Sequence, residues 1–143
     1  MKVKTKFRFL EHKSDVLFKA FGKNLKELIE NSAEAMLFTI SSTNRIKPDK
    51  KIKIHVKSSD IENLFIDTLN LVLAKSDAEE VFFNKVKIEK LDAKKHELTA
   101  TCFGAGQTPD LGKTAVKAAT FHEFELKKDK KKGRWSVRIL LDI

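Results

Sequence analysis

Three short stretches carry the side chains able to do chemistry: EHKSD with Glu11, His12 and Asp15, FHEF with His122 and Glu123, and LLDI, which closes on Asp142 and Ile143. Their chemistry is oxygen-rich. Two Asp side chains and a terminal carboxylate are hard donors, suited to Ca²⁺, Mg²⁺ or Mn²⁺. Clustered carboxylates also repel one another unless a cation or a proton intervenes. The closing run WSVRILLDI sharpens the point, because acidic side chains are rarely buried without a partner and free chain ends usually fray. Plainer roles stay open for each residue. Asp15 suits the acceptor of backbone hydrogen bonds in a turn, Asp142 suits solvent or one of many lysines, and His12 and His122 suit singly bonded histidines at a core edge.

Other chemistries lack support. The chain has no GxxxxGK[ST] or GxGxxG to cradle phosphate, no HExxH and no GxSxG elbow, so nucleotide hydrolysis, zinc proteolysis and triad hydrolysis find no local motif. The single cysteine, Cys102, has no thiol partner for a disulfide or a zinc site, and its strand-like surroundings read as core packing. The run KKDKKKGR reads as a solvated turn.

The elements that must position these residues follow from periodicity. TKFRFLE alternates polar and apolar residues, with Phe7 and Phe9 on one face, and DVLFKAF from Asp15 to Phe21 is strand-like again. Asn24 followed three residues later by Glu27 predicts a reciprocally capped helix, along which Leu25, Leu28, Ile29, Ala33, Met36 and Ile40 fall at helical spacing. SSTNRIKPDK is a loop, and KIKIHVK puts Ile52, Ile54 and Val56 on one strand face. Ser59 and Glu62 predict a second capping box, opening a helix with Ile61, Leu64, Phe65, Leu69 and Val72 on its apolar side. Further strands are expected at VFFNKVKIEKL and HELTATCFG, and KAATFHEFEL with WSVRILLDI reads as a hairpin with a basic tip. Helices do not alternate with strands throughout, which predicts an α+β two-layer sandwich: two helices on one face of a mixed or antiparallel sheet.

At 143 residues with 41% hydrophobic content and only two prolines and five glycines, residues 1–143 read as a single folded domain without linkers. The start, MKVKTKFRFLEHKSD, lacks the apolar core of a secretory signal, and no apolar run is long enough for a membrane span, so a soluble cytoplasmic protein is expected. A net charge of +9, from 29 basic and 20 acidic residues, would attract polyanions such as RNA. Lysine dominates that charge: arginine occurs only at Arg8, Arg45, Arg134 and Arg138, and fixed phosphate recognition favours the arginine fork.

Five segments in order, FLEHKSD, NLKELIENSAEAMLFTI, DIENLFIDTLNLVL, VKAATFHEFEL and the terminal ILLDI, resemble archease over essentially the whole chain. The most specific parts are EHxxD, VKAxTxH at residues 116–122, and the closing LDI. The resemblance implies an archease-like fold and an accessory protein of RNA ligation rather than an enzyme. Its partner would be an RtcB-type ligase, which joins tRNA halves; tRNA itself would be met indirectly or weakly, and no membrane is involved. The implied action is to promote guanylylation of the ligase's active-site histidine from GTP, to permit multiple turnover and to relax nucleotide choice. The implied metal site, a calcium site with Mg²⁺ or Mn²⁺ as alternatives, falls on Asp15, on Asp142 and on Ile143 through its carboxylate. His12, Lys117 and His122 follow as ligase-contacting or supporting residues. The chain departs from the family pattern at Lys13, where Thr is usual, and at Leu17 and Phe18, which are bulkier than the residues often found there. Two other functions compete: a general RNA-binding or chaperone-like adaptor working through the +9 charge, and a metal-dependent hydrolase, for which nucleophile and phosphate cradle are both missing.

Overall fold

The computed structural model describes residues 5–143; the first four residues of the charged N-terminal segment lie outside the described residues. Period-two alternation becomes seven strands: β1 (Phe7–Leu10), β2 (Val16–Gly22), β3 (Lys50–Lys57), β4 (Val81–Asp92), β5 (Glu97–Gly106), β6 (Ala118–Asp129) and β7 (Arg134–Asp142). The two amphipathic stretches become α1 (Leu25–Ile40) and α2 (Ile61–Glu79). Among the described residues no helix is long and apolar enough to cross a membrane.

All strand pairings are antiparallel, and the α+β class with two helices is as expected. The strands divide into two sheets, ordered β1-β2-β7-β6 and β3-β5-β4. Alternation dictates which face of a strand is buried and leaves its neighbour open, so this division has no local signature. Each helix packs against strands of both sheets, α1 on β2, β4 and β7, and α2 on β3, β4 and β6. One apolar core therefore serves the whole fold, with Phe18, Phe65, Phe83 and Ile139 among its fully buried side chains.

The helix starts are chemically specified. The Asn24 side chain accepts from the Glu27 N–H at 2.8 Å, and Glu27 returns a bond to the Lys23 N–H at 3.2 Å, one residue earlier than a standard capping box. At α2 the cap is Asp60 and not the expected Ser59: its carboxylate accepts from the Asn63 N–H at 2.7 Å. Asp60 wins because an ionised oxygen is the stronger acceptor and sits favourably at the positive end of the helix dipole. Its carboxyl is held below the usual range by the Asn63 backbone and side-chain bonds.

Gly104 lies on β5 between β3 and β4, beside the irregularity at Phe83–Lys85. A Cβ there would stand 2.8 Å from the Phe83 Cα and closer still to the Phe82 carbonyl, both backbone atoms that cannot swing aside. Gly104→Ala is expected to destabilise the fold by about 1–3 kcal/mol, the usual cost of overpacking. Denaturant titration measures this, and an unchanged midpoint would show that the strand irregularity absorbs a methyl group freely.

Candidate functional site

The ladder between β2 and β7 ends at the pair Val16 and Leu141, and the next residues on each strand are Asp15 and Asp142. Phe18, Ile139 and Leu141 point into the core with no exposure. By alternation Asp142, the last residue of β7, points the other way, to the outer face of the four-stranded sheet, and Asp15 lies in the bend that leads into β2. Each acid thus stands one residue beyond the last pair of the ladder, so the two adjoin the same end of β2 and β7. Asp15 is half-buried and Asp142 exposed. The ion pairs among the described residues use neither carboxylate, and none engages Lys13, which is exposed. Ile143 follows Asp142 and is 38% exposed.

The other side of Asp142 is held by the start of β6. Ala118 pairs with Asp142, and the Lys117 N–H donates to the Asp142 carbonyl at 2.7 Å. Asn70 of α2 grips the next residue on its free side, accepting from the Ala119 N–H at 2.8 Å and donating to the Ala119 carbonyl at 3.1 Å. A helical amide thus substitutes for a neighbouring strand. Asn70 is one of three polar residues in LFIDTLNLVL, with Asp67 and Thr68, and the spacing of the apolar residues gives it no role.

His12 stands on the far side. Its Nε2 lies 3.0 Å from Glu123 Oε2, an ion pair when the imidazole is protonated. Glu123 has a positive φ of 58° and sits in a wide bulge, where residues 121–124 of β6 face Ile139 alone. Arg138, on the outer face, donates from Nε to the Glu123 carbonyl at 2.8 Å, so the bulge folds over that face. His12 and Glu123 therefore bridge from one side of the sheet to the other, and Leu17 and Leu140 beneath are only 6% and 4% exposed. No sequence signal announces a non-glycine residue at positive φ, so this bridge was not expected.

His122 is exposed in the same bulge and makes no side-chain hydrogen bond among the described residues. Glu11 is exposed beside His12. No group of three or more His, Cys, Asp or Glu side chains converges among the described residues. Asp15 and Asp142, at the end of the β2–β7 ladder, belong to no such group. Cys102 is fully buried, and burial pushes its thiol up to about 12, which removes it as a nucleophile at neutral pH.

Fold and site together define a small α+β protein of two antiparallel sheets and two helices, whose central ladder ends beside two acids, Asp15 and Asp142. Residues 7–143 match the Archease protein family (MTH1598/TM1083), and the chain belongs to that family. Relatives named protein archease include one from Methanosarcina barkeri, 30% identical and aligned over 96% of this chain and 95% of its own length. Another, from Pyrococcus abyssi, is 31% identical over 93% of this chain and 95% of its own. The solution structure of Methanobacterium thermoautotrophicum protein 1598 superposes with a TM-score of 0.76 at 28% identity, covering 96% of this chain and 99% of that one. The Thermotoga maritima crystal structure, described as an archease and possible chaperone, shares the fold with a TM-score of 0.68 at 19% identity, over 94% of both chains.

Removing the Asn70 amide strands the N–H and carbonyl of Ala119, a residue only 3% exposed. Asn70→Ala is expected to cost about 1–3 kcal/mol, the penalty for buried polar groups left unpaired. Amide exchange should also speed up at Lys117 and Ala119, the residues that flank Asp142. Unaltered exchange there would show that β6 holds its place without the helix.

Proposed function

We propose that the protein is a cytoplasmic, non-enzymatic activator of an RtcB-type tRNA-splicing ligase, which promotes guanylylation of the ligase and its multiple turnover and broadens its nucleotide use. The observation that supports this reading is the placement of Asp15 and Asp142, two carboxylates without an ion-pair partner among the described residues, just beyond the end of the β2–β7 ladder in a chain of the Archease family.

Residue types fit a divalent cation. Asp15 and Asp142 supply hard oxygens, the family likeness adds the α-carboxylate of Ile143, and Ca²⁺ suits such a set because it tolerates irregular geometry and shared waters. Mg²⁺ or Mn²⁺ would accept the same donors. A bound cation supplies charge neutralisation. The protein's own residues do the placing: the end of the β2–β7 ladder brings the segments of the two acids together, the Lys117 N–H fixes the Asp142 backbone, and the His12–Glu123 bridge stiffens the floor beside them. Guanylyl transfer to a histidine brings triphosphate, metal and nucleophile together, and positioning with charge neutralisation carries most of the catalysis in such transfers. An exposed acidic tip is shaped to enter that cleft, with Lys117 and His122, both exposed, available to touch the ligase.

Purified ligase and GTP test the reading. Asp15→Ala and Asp142→Ala should each lower stimulation of guanylylation at least about tenfold, a loss of roughly 1.4 kcal/mol, with unchanged circular dichroism; full stimulation by both variants would sink it. Ca²⁺ should raise the melting temperature of the parent, by linkage worth about 2.7 kcal/mol at a hundredfold excess over Kd. A chelator should reverse the shift, and Asp142→Asn should abolish it. Residues appended after Ile143 should displace the α-carboxylate and weaken stimulation, whereas undiminished activity would leave Ile143 a packing role alone.

A further inference from the structure

The outer face that carries Asp142 changes sign along its length. Three of the chain's four arginines, Arg8, Arg134 and Arg138, lie on it. Arg8 pairs with Lys19 across β1 and β2, and Lys19 pairs with Arg138 across β2 and β7, so three cations form one straight row. Adjacent members stand about 4.8 Å apart in the strand-to-strand direction. The row ends at Glu125, opposite Arg138 on β6, whose carboxylate is already engaged by Lys127 at 3.1 Å.

Phe21 forms the next step of the face. Its ring has Arg134 at 4.3 Å, Lys19 at 5.8 Å and Arg8 at 6.0 Å from its centroid, and the residue is only 8% exposed. The aromatic face draws the three cations together and is roofed by them. Arg8, Lys19 and Arg134 take part in no ion pair among the described residues. Glu125 and Asp129 of β6 face Arg138 and Arg134 across the ladder, and the Glu125 carboxyl is held low by Lys127 first and by Arg138 and Lys19 as well; Arg8, Lys19, Arg134 and Arg138 still outnumber these two acids, and a polyanion relieves the remaining repulsion.

An acidic protein surface fits less well. Protein interfaces depend on an apolar anchor buried at the centre, and here the aromatic ring is covered and offers none. Evenly spaced cations on a rigid sheet suit an evenly charged backbone, and arginine forks suit phosphate oxygens. We propose that this face binds the phosphate backbone of RNA, over β1, β2 and β7. The site stands independently of ligase activation. Lys19 lies four residues from Asp15 along β2, about 13 Å at strand rise, so the acid pair repels phosphate at that end and bounds the footprint there.

Fluorescence anisotropy with a labelled tRNA transcript, followed from about 50 to 200 mM salt, tests the assignment. The parent should bind with steep salt dependence. The triple variant Arg8→Glu, Lys19→Glu, Arg134→Glu should lose at least about tenfold in affinity and flatten the salt slope by about two to three. Lys130→Glu, Lys131→Glu, Lys132→Glu at the hairpin tip, an equal change of net charge, should lose less than about twofold. Equal losses in the two variants, an unaffected face variant, salt-insensitive binding by the parent, or equal competition by polyglutamate would each overturn the proposal. Should the triple variant not fold, amide shifts of the parent on RNA titration decide: they should map to β1, β2 and β7, and a map on β3-β5-β4 would overturn it.

Discussion

The pairing of β2 with β7 is the constraint on which the rest depends. It joins residues 16–22 to residues 135–141 across nearly the full chain. Closing so long a loop carries an entropic cost that local contacts cannot offset. The compensation comes from what the ladder buries: Phe18, Ala20, Val137, Ile139 and Leu141, between them almost without exposure, form the wall against which α1 packs. The same ladder ends beside Asp15 and Asp142 and aligns Lys19 with Arg138. Core and polar face are two sides of one register, and a slip by one residue would exchange them.

That register also sorts charge. Beside one end of the central strands lie two acids; four residues along the same strands, cations gather around an aromatic ring. Leu17 and Leu140 separate the two zones beneath the His12–Glu123 bridge. The sorting is confined to β2 and β7, because on β6 Glu125 lies opposite Arg138 and pairs with Lys127.

The features legible in the sequence were those governed by neighbours in the chain. The Asn24 cap, the β6–β7 hairpin with its basic turn and the inert Cys102 depend on local periodicity or composition, and they appear as expected. Asp60 displaced Ser59 because the choice between adjacent caps turns on a charge and a half-turn of backbone that spacing alone does not resolve. The acids of EHKSD and LLDI were recognisable by residue type and family likeness, but their shared place is a property of a ladder between strands more than a hundred residues apart. The Glu123 bulge and the two-sheet division had no residue to announce them. The scarcity of arginine, which argued against phosphate recognition, reads differently once three of the four converge.

Asn70 has a consequence for solubility. An open sheet of four strands has two raw edges, each a template for pairing with another chain. On the β6 side the edge is stopped at Ala119, where the Asn70 amide occupies the donor and acceptor that an incoming strand would need. Farther along, the bulge at residues 121–124 breaks the regular spacing of the same edge. On the β1 side the edge is four residues long and carries Arg8. Among the described residues, both edges of this sheet are thus poor templates for the addition of another strand.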